Sequence, residues 1–401
     1  MCFLLEKHPA SHMTINHKKL LQGRYEAERL PSDFSPDRIA PDFSFNILNH
    51  LGLLYRPIVD EDIIANGRQK PIWPDGKPFA VCLTHDVDDV SLYSARQSLR
   101  SIQKRFTNNS NAVKKFKSLA GFGIDIVNAG IHLHENDPLH CYEHWLKAEK
   151  KIGAYSTFFF WPGLRSVTKP HHTDCTYELY DSVIFDNQTC TVAEMIQEID
   201  RQGWEIGLHP SWYSFTDVDE LKRQKESLEE TLGHEILSIR QHYLHYDIRI
   251  TPAIHAEAGF KYDSTLGFND NVGFRFGTSY PWHLYDLKSE KELSIIEIPL
   301  IIQDGALLNP DKGMRLDEDT AFTYIELITE AVEQVGGVLT LLWHPNHIIK
   351  EEWWNLYIKT LAYLKLKNPW FTSVKDIGQW WSQQNLNNFK LDNTDKGIVN
   401  D

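Results

Sequence analysis

Residues that could bind a metal ion or transfer a proton follow the first strongly apolar segment of the chain. The segment 79–84 leads directly into His85, Asp86 and, two positions later, Asp88. Carboxylates at the end of a buried strand lose hydration, which is costly unless they bind a cation or a proton. In extended backbone Asp86 and Asp88 point to the same side. One of them could therefore hold a metal ion while the other accepts a proton.

Three further apolar segments end in polar residues that could join the same site. The segment 204–208 precedes His209, 236–243 includes Arg240 and His242, and 337–343 precedes His344. A histidine alone at the end of one strand is more often a hydrogen-bonded core residue than a metal ligand. An inward-facing Arg240 needs an anion, and Asp86 would serve. Four polar strand ends on one edge of a sheet predict a functional site there.

The elements that must position these residues alternate between strands and helices. Strands are predicted in seven segments: 79–84, 155–161, 204–208, 236–243, 260–263, 294–302 and 337–343. They are apolar on both faces, as strands covered by helices are. Repeated strand–helix alternation indicates an α/β fold with a parallel sheet, either open and doubly wound or closed as a barrel. We favour the barrel because the glycine-rich nucleotide-binding motifs are absent and polar residues follow the strands.

The composition is that of a folded chain and argues against several classes of protein. The 401 residues are 42% hydrophobic and 24% charged, ordinary values for a globular protein. The net charge of −14 argues against nucleic-acid binding. Five cysteines without a CxxC motif indicate neither a disulfide framework nor a thiolate zinc site. No apolar stretch approaches the roughly 18 residues of a membrane span, and the first apolar run is too short for a signal peptide. We therefore expect a cytoplasmic protein.

Taken in order, the polar strand ends resemble the motifs of the polysaccharide deacetylase superfamily. The motifs are His85-Asp86-Val87-Asp88, Gly207-Leu208-His209-Pro210-Ser211, Arg240-x-x-Tyr243 and Leu341-Leu342-Trp343-His344-Pro345. The segment 273–277, Gly-Phe-Arg-Phe-Gly, also looks like one branch of that superfamily. The resemblance covers about 79–381. It implies a distorted (β/α)7 barrel and a metal-dependent hydrolase that removes N-acetyl groups from an amino-sugar glycan or its precursor.

The resemblance also implies a metal site, from which this sequence departs at one position. Asp88 and His209 would be ligands of a divalent ion, with Zn²⁺ the favoured one. The family usually places a second histidine four residues after the first, where this chain has Tyr213. A phenol is a poor ligand for Zn²⁺. His242 is the best replacement on the same edge, and His85 is the other candidate.

The remaining roles also follow from the resemblance. Asp86 would be the general base, and Arg240 would orient it. The backbone N–H of Tyr243 would stabilise the oxyanion. His344 would be the general acid, which an amide needs because its nitrogen leaves poorly until it is protonated.

Two other functions stay open at this stage. A barrel that binds glycans without turnover would fit the departure at Tyr213. An amidase acting on a small non-sugar amide would use the same chemistry. Metal content together with acetate release separates the first alternative from a deacetylase, and a panel of small amides tests the second.

We divide the chain into an N-terminal extension (1–75), the barrel (76–382) with an inserted helical segment (90–140), and a flexible tail (383–401). Within the insertion, the basic segment 90–124 contains seven Lys or Arg residues and no Asp or Glu. A solvated basic surface is the simpler interpretation. The other is a surface that binds an anionic lipid or a lipid-linked sugar, which would place the protein at the membrane surface.

Overall fold

The computed structural model describes residues 15–30, 43–92, 137–166, 169–384 and 396–397. Most of the basic segment 90–124 and most of the tail 383–401 therefore lie outside the described residues. Residues 396–397 form a short strand that pairs with residues 15–16. In the described part of the chain no helix combines the length and hydropathy needed to cross a membrane.

All seven predicted strand segments contain strands. In chain order the strands are β1 (Ile15–Asn16), β2 (Ala80–Val87), β3 (Thr157–Phe160), β4 (Ser182–Phe185), β5 (Gln188–Thr191), β6 (Glu205–Leu208), β7 (Ser238–Ile239), β8 (Tyr262–Asp263), β9 (Trp282–Asp286), β10 (Lys291–Glu297), β11 (Ile302–Gln303), β12 (Val338–Leu342), β13 (Trp370–Thr372) and β14 (Lys396–Gly397). The helices are α1 (His17–Leu21), α2 (Arg24–Arg29), α3 (Ile47–His50), α4 (Ile58–Ala65), α5 (Tyr142–Lys150), α6 (Val192–Arg201), α7 (Val218–Leu232), α8 (Thr251–Glu257), α9 (Asp304–Leu308), α10 (Glu318–Val335), α11 (Glu351–Lys367) and α12 (Val374–Gln383).

Side-chain caps set the start of several helices around the sheet. The Thr191 hydroxyl accepts from the backbone N–H of Glu194, whose carboxylate accepts from Thr191 in return, a capping box that begins α6. Asp217 caps α7, which ends at Gly233 in a left-handed conformation. All eight residues of β2 are buried, as expected for a central parallel strand covered on both faces.

The central sheet is mostly parallel and closes through one continuous segment. Its order is β11-β12-β2-β3-β6-β7-β8-β10-β9, with β9 antiparallel to β10 and β13 paired to β2. Ile298 donates its N–H to the carbonyl of Asp263 beside β8 (2.8 Å), and Ile301 donates to Thr340 in β12 (3.2 Å). Before Pro299 the chain from β10 to β11 therefore pairs with β8, and after Pro299 it pairs with β12. This segment connects the two ends of the parallel sheet and closes the barrel. The fold is the distorted (β/α)7 type that the sequence predicted.

The described part of the N-terminal extension packs on the barrel through an apolar core. Leu48, Val59 and Trp73 are buried in one cluster with Ala80 of β2 and Ile377 of α12. The Trp73 indole donates to the carbonyl of Gly336 (2.8 Å), and the Asp60 carboxylate accepts from the hydroxyl and N–H of Ser279 (both 2.7 Å). These contacts make the barrel and the described part of the extension share one core.

The segment 273–277 also contacts the described part of this extension. Gly273 has φ of 129°, and a β-carbon there would lie 2.6 Å from the carbonyl oxygen of Leu54, so a side chain cannot be accommodated. Arg275 is buried and makes a two-pronged ion pair with Glu26 of α2. The glycines and the arginine of this motif therefore serve the docking of the extension.

Candidate active site

The predicted site residues meet at the carboxyl ends of the parallel strands. Asp86 is the seventh residue of β2 and Asp88 follows that strand, His209 follows β6, Arg240 and His242 follow β7, and His344 follows β12. They line or border a cavity of about 190 Å³. Its lining is formed by Asp86, Asp88, His209, His242, Tyr243, Leu244, Asn269, Gln303, Gly305, Asn309, Lys312, Leu342, His344 and His347. The parallel topology thus gathers side chains that are more than 250 residues apart in sequence.

Asp88, His209 and His242 direct three ligand atoms at one point. The His209 Nε2 and His242 Nδ1 atoms are 2.9 Å apart, and they lie 3.4 and 3.3 Å from Asp88 Oδ1. Tetrahedral ligands at Zn–N and Zn–O distances of about 2.05 Å would be separated by about 3.3 Å. The spacing therefore fits three ligands of one small cation.

Backbone carbonyls fix both histidines in the form that a metal requires. His209 Nδ1 lies 2.8 Å from the carbonyl of Arg240, and His242 Nε2 lies 2.8 Å from the carbonyl of Thr173. Each of those nitrogens must carry a hydrogen, so each neutral ring turns its lone pair toward Asp88. Three acceptors that face one another repel unless a proton or a cation lies between them.

The charges and hydrogen bonds of this cluster also favour a bound cation. Asp88 Oδ1 is buried and has no hydrogen bond of good geometry within the described residues. Burial disfavours the charged form of Asp88, but the adjacent His209 and His242 rings outweigh burial and hold the pKa of Asp88 well below its ordinary value. Burial lowers the pKa of His242, and the adjacent Asp88 carboxylate reverses that effect and raises it. The residues present fit a divalent ion, with the cavity leaving a position open for a water molecule or substrate.

The structure separates the two candidates for the third ligand. His85 lies on the opposite face of β2 from Asp86, because side chains alternate along a strand. Its ring is fully buried between the Trp343 carbonyl (2.7 Å) and the Glu149 carboxylate (2.6 Å). The prediction that His85 could replace the missing ligand is therefore wrong, and His242 is the residue placed to do so.

Tyr213 belongs to a short helical turn that turns it away from this cluster. Its ring meets the His171 ring edge to face at 5.4 Å, and the Lys169 ammonium lies 3.8 Å from its centre. Among the described residues the lining of the cavity does not include Tyr213. Cys175 instead brings a buried thiol close, since one ligand atom each of Asp88, Cys175 and His242 lies within 4.8 Å of the others. The isolated cysteine gave no signal in the sequence.

Arg240 is fixed behind Asp86 by neutral groups. It is fully buried and donates to the carbonyl of Ser264 (2.7 Å), the Ser264 hydroxyl (2.7 Å) and the Thr84 hydroxyl (2.6 Å). Its Nη1 atom lies 3.4 Å from Asp86 Oδ1, and its guanidinium lies over the Phe159 ring. The guanidinium is rigid, so it holds the Asp86 carboxylate at one position beside Asp88.

His344 shares a buried carboxylate, Asp304, with a second histidine. The Asp304 oxygens accept from His344 Nδ1 (2.7 Å), the His344 backbone N–H (2.9 Å) and His347 Nδ1 (2.6 Å). Burial disfavours the charged form of Asp304, but the charges of the two rings outweigh it and hold its pKa below the ordinary range. Burial lowers the pKa of His344, yet the charge and hydrogen bond of Asp304, with the charges of Asp88 and Asp86, raise it to about 10. His344 is consequently protonated at neutral pH.

Asp304 and His347 are site residues that the sequence interpretation missed. Asp304 directly follows β11, just as His209 directly follows β6. Its position at the end of the most apolar predicted strand was the available signal. His347 lies three residues after His344 in a short helical turn. Asp304, His344 and His347 also form a second group of ligand atoms within 4.8 Å of one another.

Tyr243 lies in strained backbone at the edge of the cavity. Its φ of 58° and ψ of 20° are in the left-handed region, and Leu244 follows with φ of 51°. Such conformations cost about 1–3 kcal/mol for a residue with a side chain and persist where the surroundings enforce them. The Asn269 amide donates to the Tyr243 carbonyl (2.7 Å). The strain therefore lies at the position where the motif predicts an oxyanion contact.

Comparisons with known proteins identify the fold. No protein family model matches the sequence, and no curated protein matches it. A Mycobacterium smegmatis protein assigned to the polysaccharide deacetylases is similar over 78% of this chain and 92% of its own, with 21% identity and a TM-score of 0.50. Puue allantoinase matches over 79% and 94% (15% identity, TM-score 0.50), and a Pseudomonas aeruginosa PAO1 protein assigned to the polysaccharide deacetylases over 80% and 96% (14%, 0.50). At such identities the similarity shows the fold, and the fold predicted from the motifs is confirmed.

Proposed function

We propose that this chain is a metal-dependent hydrolase that removes N-acetyl groups from an amino-sugar glycan or glycan precursor. One observation carries the proposal: a three-ligand cluster, a carboxylate and a protonated imidazole line the same cavity. Cleavage of an amide needs a polarised carbonyl, an activated water and an acid for the leaving nitrogen. The residues that line the cavity support a role for one group in each of these needs.

Asp88, His209 and His242 would hold the ion, and the donor set of one carboxylate and two imidazoles suits Zn²⁺. When bound, Zn²⁺ lowers the pKa of a water ligand and polarises the amide carbonyl. The backbone carbonyls behind His209 and His242 keep both rings in the tautomer that binds metal. The thiol of Cys175 lies near Asp88 and His242, but the three ligands named here leave the fourth position for water or substrate.

The other residues would move protons and orient the substrate. Asp86 would accept the proton of the attacking water while Arg240 keeps its carboxylate in place. The Tyr243 N–H would donate to the oxygen of the tetrahedral intermediate. His344, protonated because Asp304 supports its charge, would transfer its Nε2 proton to the leaving amine.

The proposal is tested by metal content and acetate release measured on the same preparations. We expect one Zn²⁺ per chain and acetate release from N-acetylglucosamine oligomers. His209→Ala should lose both, whereas Asp86→Asn should retain the zinc and lose the activity. Zinc binding that is unchanged in His209→Ala would exclude the proposed site. Stoichiometric zinc without acetate release from any sugar would favour a binding protein instead.

A second candidate is an amidase that acts on a small cyclic amide. Puue allantoinase is as similar to this chain as the two proteins assigned to the deacetylases, with a TM-score of 0.50. That equal similarity favours hydrolysis of a cyclic amide as the second candidate reaction. The same cluster and proton-transfer groups would serve both substrates. Turnover of allantoin, hydantoin or dihydrouracil, without acetate release from sugars, would select this alternative.

A further inference from the structure

One wall of the active-site cavity presents hydrogen-bond donors and a cation to the substrate. This basic wall consists of Asn309, Lys312, His344 and His347, and it belongs to the cavity that holds the three-ligand cluster. The wall comes from the loop after α9 and the turn after β12. Its composition is unexpected in a chain with a net charge of −14.

The carboxylate and amide oxygens at the basic wall already accept hydrogen bonds. The two Asp304 oxygens beneath it accept from Gly305 N (2.6 Å), His344 N, His344 Nδ1 and His347 Nδ1. The Asn309 Oδ1 atom accepts from the backbone N–H groups of Asp311 (2.9 Å) and Lys312 (3.3 Å). The Asn309 side-chain NH₂ is left without a hydrogen bond among the described residues. Asn309 therefore offers a ligand the two N–H groups of its amide.

Lys312 adds an uncompensated charge to these donors. Its ammonium makes no ion pair with any described carboxylate, although the side chain lines the cavity. Arg315, in the same loop, lies outside the lining and donates to the carbonyl of Asp311. Lys312 is thus the one cation of this loop that faces the cavity in the described part of the chain.

Donors without free acceptors discriminate between kinds of substrate. A sugar hydroxyl both donates and accepts, so the Asn309 NH₂ and the Lys312 ammonium, which only donate, satisfy half of its hydrogen-bonding capacity. A carboxylate, sulfate or phosphate only accepts, and charge-assisted hydrogen bonds to it are the stronger ones. We propose that the basic wall binds an anionic substituent on the substrate, so that the amide-bearing sugar is acidic rather than neutral. This rests on the proposed function: the anion lies at Asn309 and Lys312, and His344 of the same wall remains at the amide to be cleaved.

The test measures binding by calorimetry, which needs no turnover. The ligands are glucosamine 6-phosphate, glucosamine 6-sulfate and neutral glucosamine, titrated into the zinc-loaded full-length chain at low salt. We expect each anionic sugar to bind at least about tenfold more tightly than glucosamine, in keeping with the strength of charged hydrogen bonds. Lys312→Gln should abolish that preference. The matched control Arg315→Gln, which removes a charge from the same loop, should keep it.

The outcomes separate this inference from the proposed function. Equal affinity for charged and neutral sugars, no binding of any of them, or an equal loss in Arg315→Gln would overturn the anionic substrate even if acetate is released. A preference for one anion over the other identifies phosphate or sulfate as the fitting group. If no acetate is released from any sugar but the preference exists and disappears in Lys312→Gln, the anion site stands and the deacetylase assignment falls.

Discussion

Replacing Asp304 by asparagine tests how the barrel keeps its acid protonated. Although burial lowers the pKa of His344, the charge and hydrogen bond of Asp304, with smaller contributions from Asp88 and Asp86, raise it from 6.5 to about 10. Asparagine keeps the shape of the side chain and removes its charge. We expect the pKa of His344 in Asp304→Asn to fall to about 6.5 or lower.

The expected loss of rate depends on pH in a defined way. A general acid works only in its protonated form, so the rate declines as the pH rises through its pKa. At pH 8.5 an imidazole with a pKa of about 10 is about 97% protonated, and one with a pKa of about 6.5 is about 1% protonated. Asp304→Asn should therefore lower kcat/KM roughly 100-fold at pH 8.5 and less than about twofold at pH 6.

Two measurements check this reasoning. The pH profile of acetate release between pH 5.5 and about 11 should show an alkaline limb that moves down by about 3.5 pH units in Asp304→Asn. Proton NMR of the His344 ring follows the same pKa without turnover. Asp311→Asn is the matched control, because Asp311 is an exposed acid in the same region. An alkaline limb and a ring titration that stay unchanged in Asp304→Asn would refute the role of Asp304.

Four further predictions follow from other parts of the molecule. His242→Ala should lose bound zinc by mass spectrometry, whereas Tyr213→Phe should keep it; the reverse pattern would restore Tyr213 as a ligand. Asp86→Asn should lower kcat by roughly 10²–10⁴ with its metal content intact, and an undiminished rate would exclude Asp86 as the base. Burial raises the pKa of Asp60 from 3.8 to about 7, so the free energy of unfolding should fall by about 2 kcal/mol between pH 5 and 7. Urea titrations at the two pH values measure this decrease, and in Asp60→Asn the contribution of about 2 kcal/mol should be absent. If the segment 90–124 is a docking surface, the protein should sediment with anionic but not neutral vesicles, less so at high salt; no difference between the vesicles leaves a solvated basic surface.

The fold was largely readable from the sequence because each strand carries its own local signal. All seven apolar segments form strands, although 236–243 shortens to the two residues of β7. The segment 294–302 was predicted as one strand, whereas Pro299 divides it between two neighbours. Hydrophobic periodicity shows that a segment is buried, but not which strand it pairs with. The closure of the barrel was favoured by the polar residues that follow the strands, and its (β/α)7 form by the resemblance.

The site was readable where a motif fixes both residue type and position. The absence of histidine at Tyr213 directed attention to His242, which the structure places 2.9 Å from His209. Asp304 and Cys175 escaped notice because each reaches the site from a segment without a matching motif. Asp304 was marked only by its place after an apolar strand, and the sequence around Cys175 gives no sign that its thiol approaches Asp88 and His242.

The ion pair between Glu26 and Arg275 bears on how much of this chain makes a folding unit. A gene product shortened to begin at the predicted barrel boundary would lack Glu26, the counterion of Arg275. Even Glu26→Ala in the full chain, which leaves the guanidinium buried, should cost about 3–5 kcal/mol, a large part of the stability of a whole domain. In the shortened product the uncovered surfaces of Trp73's partners would add to that cost. The described part of the extension therefore stabilises the barrel that holds the candidate site, although none of its described residues lines the cavity.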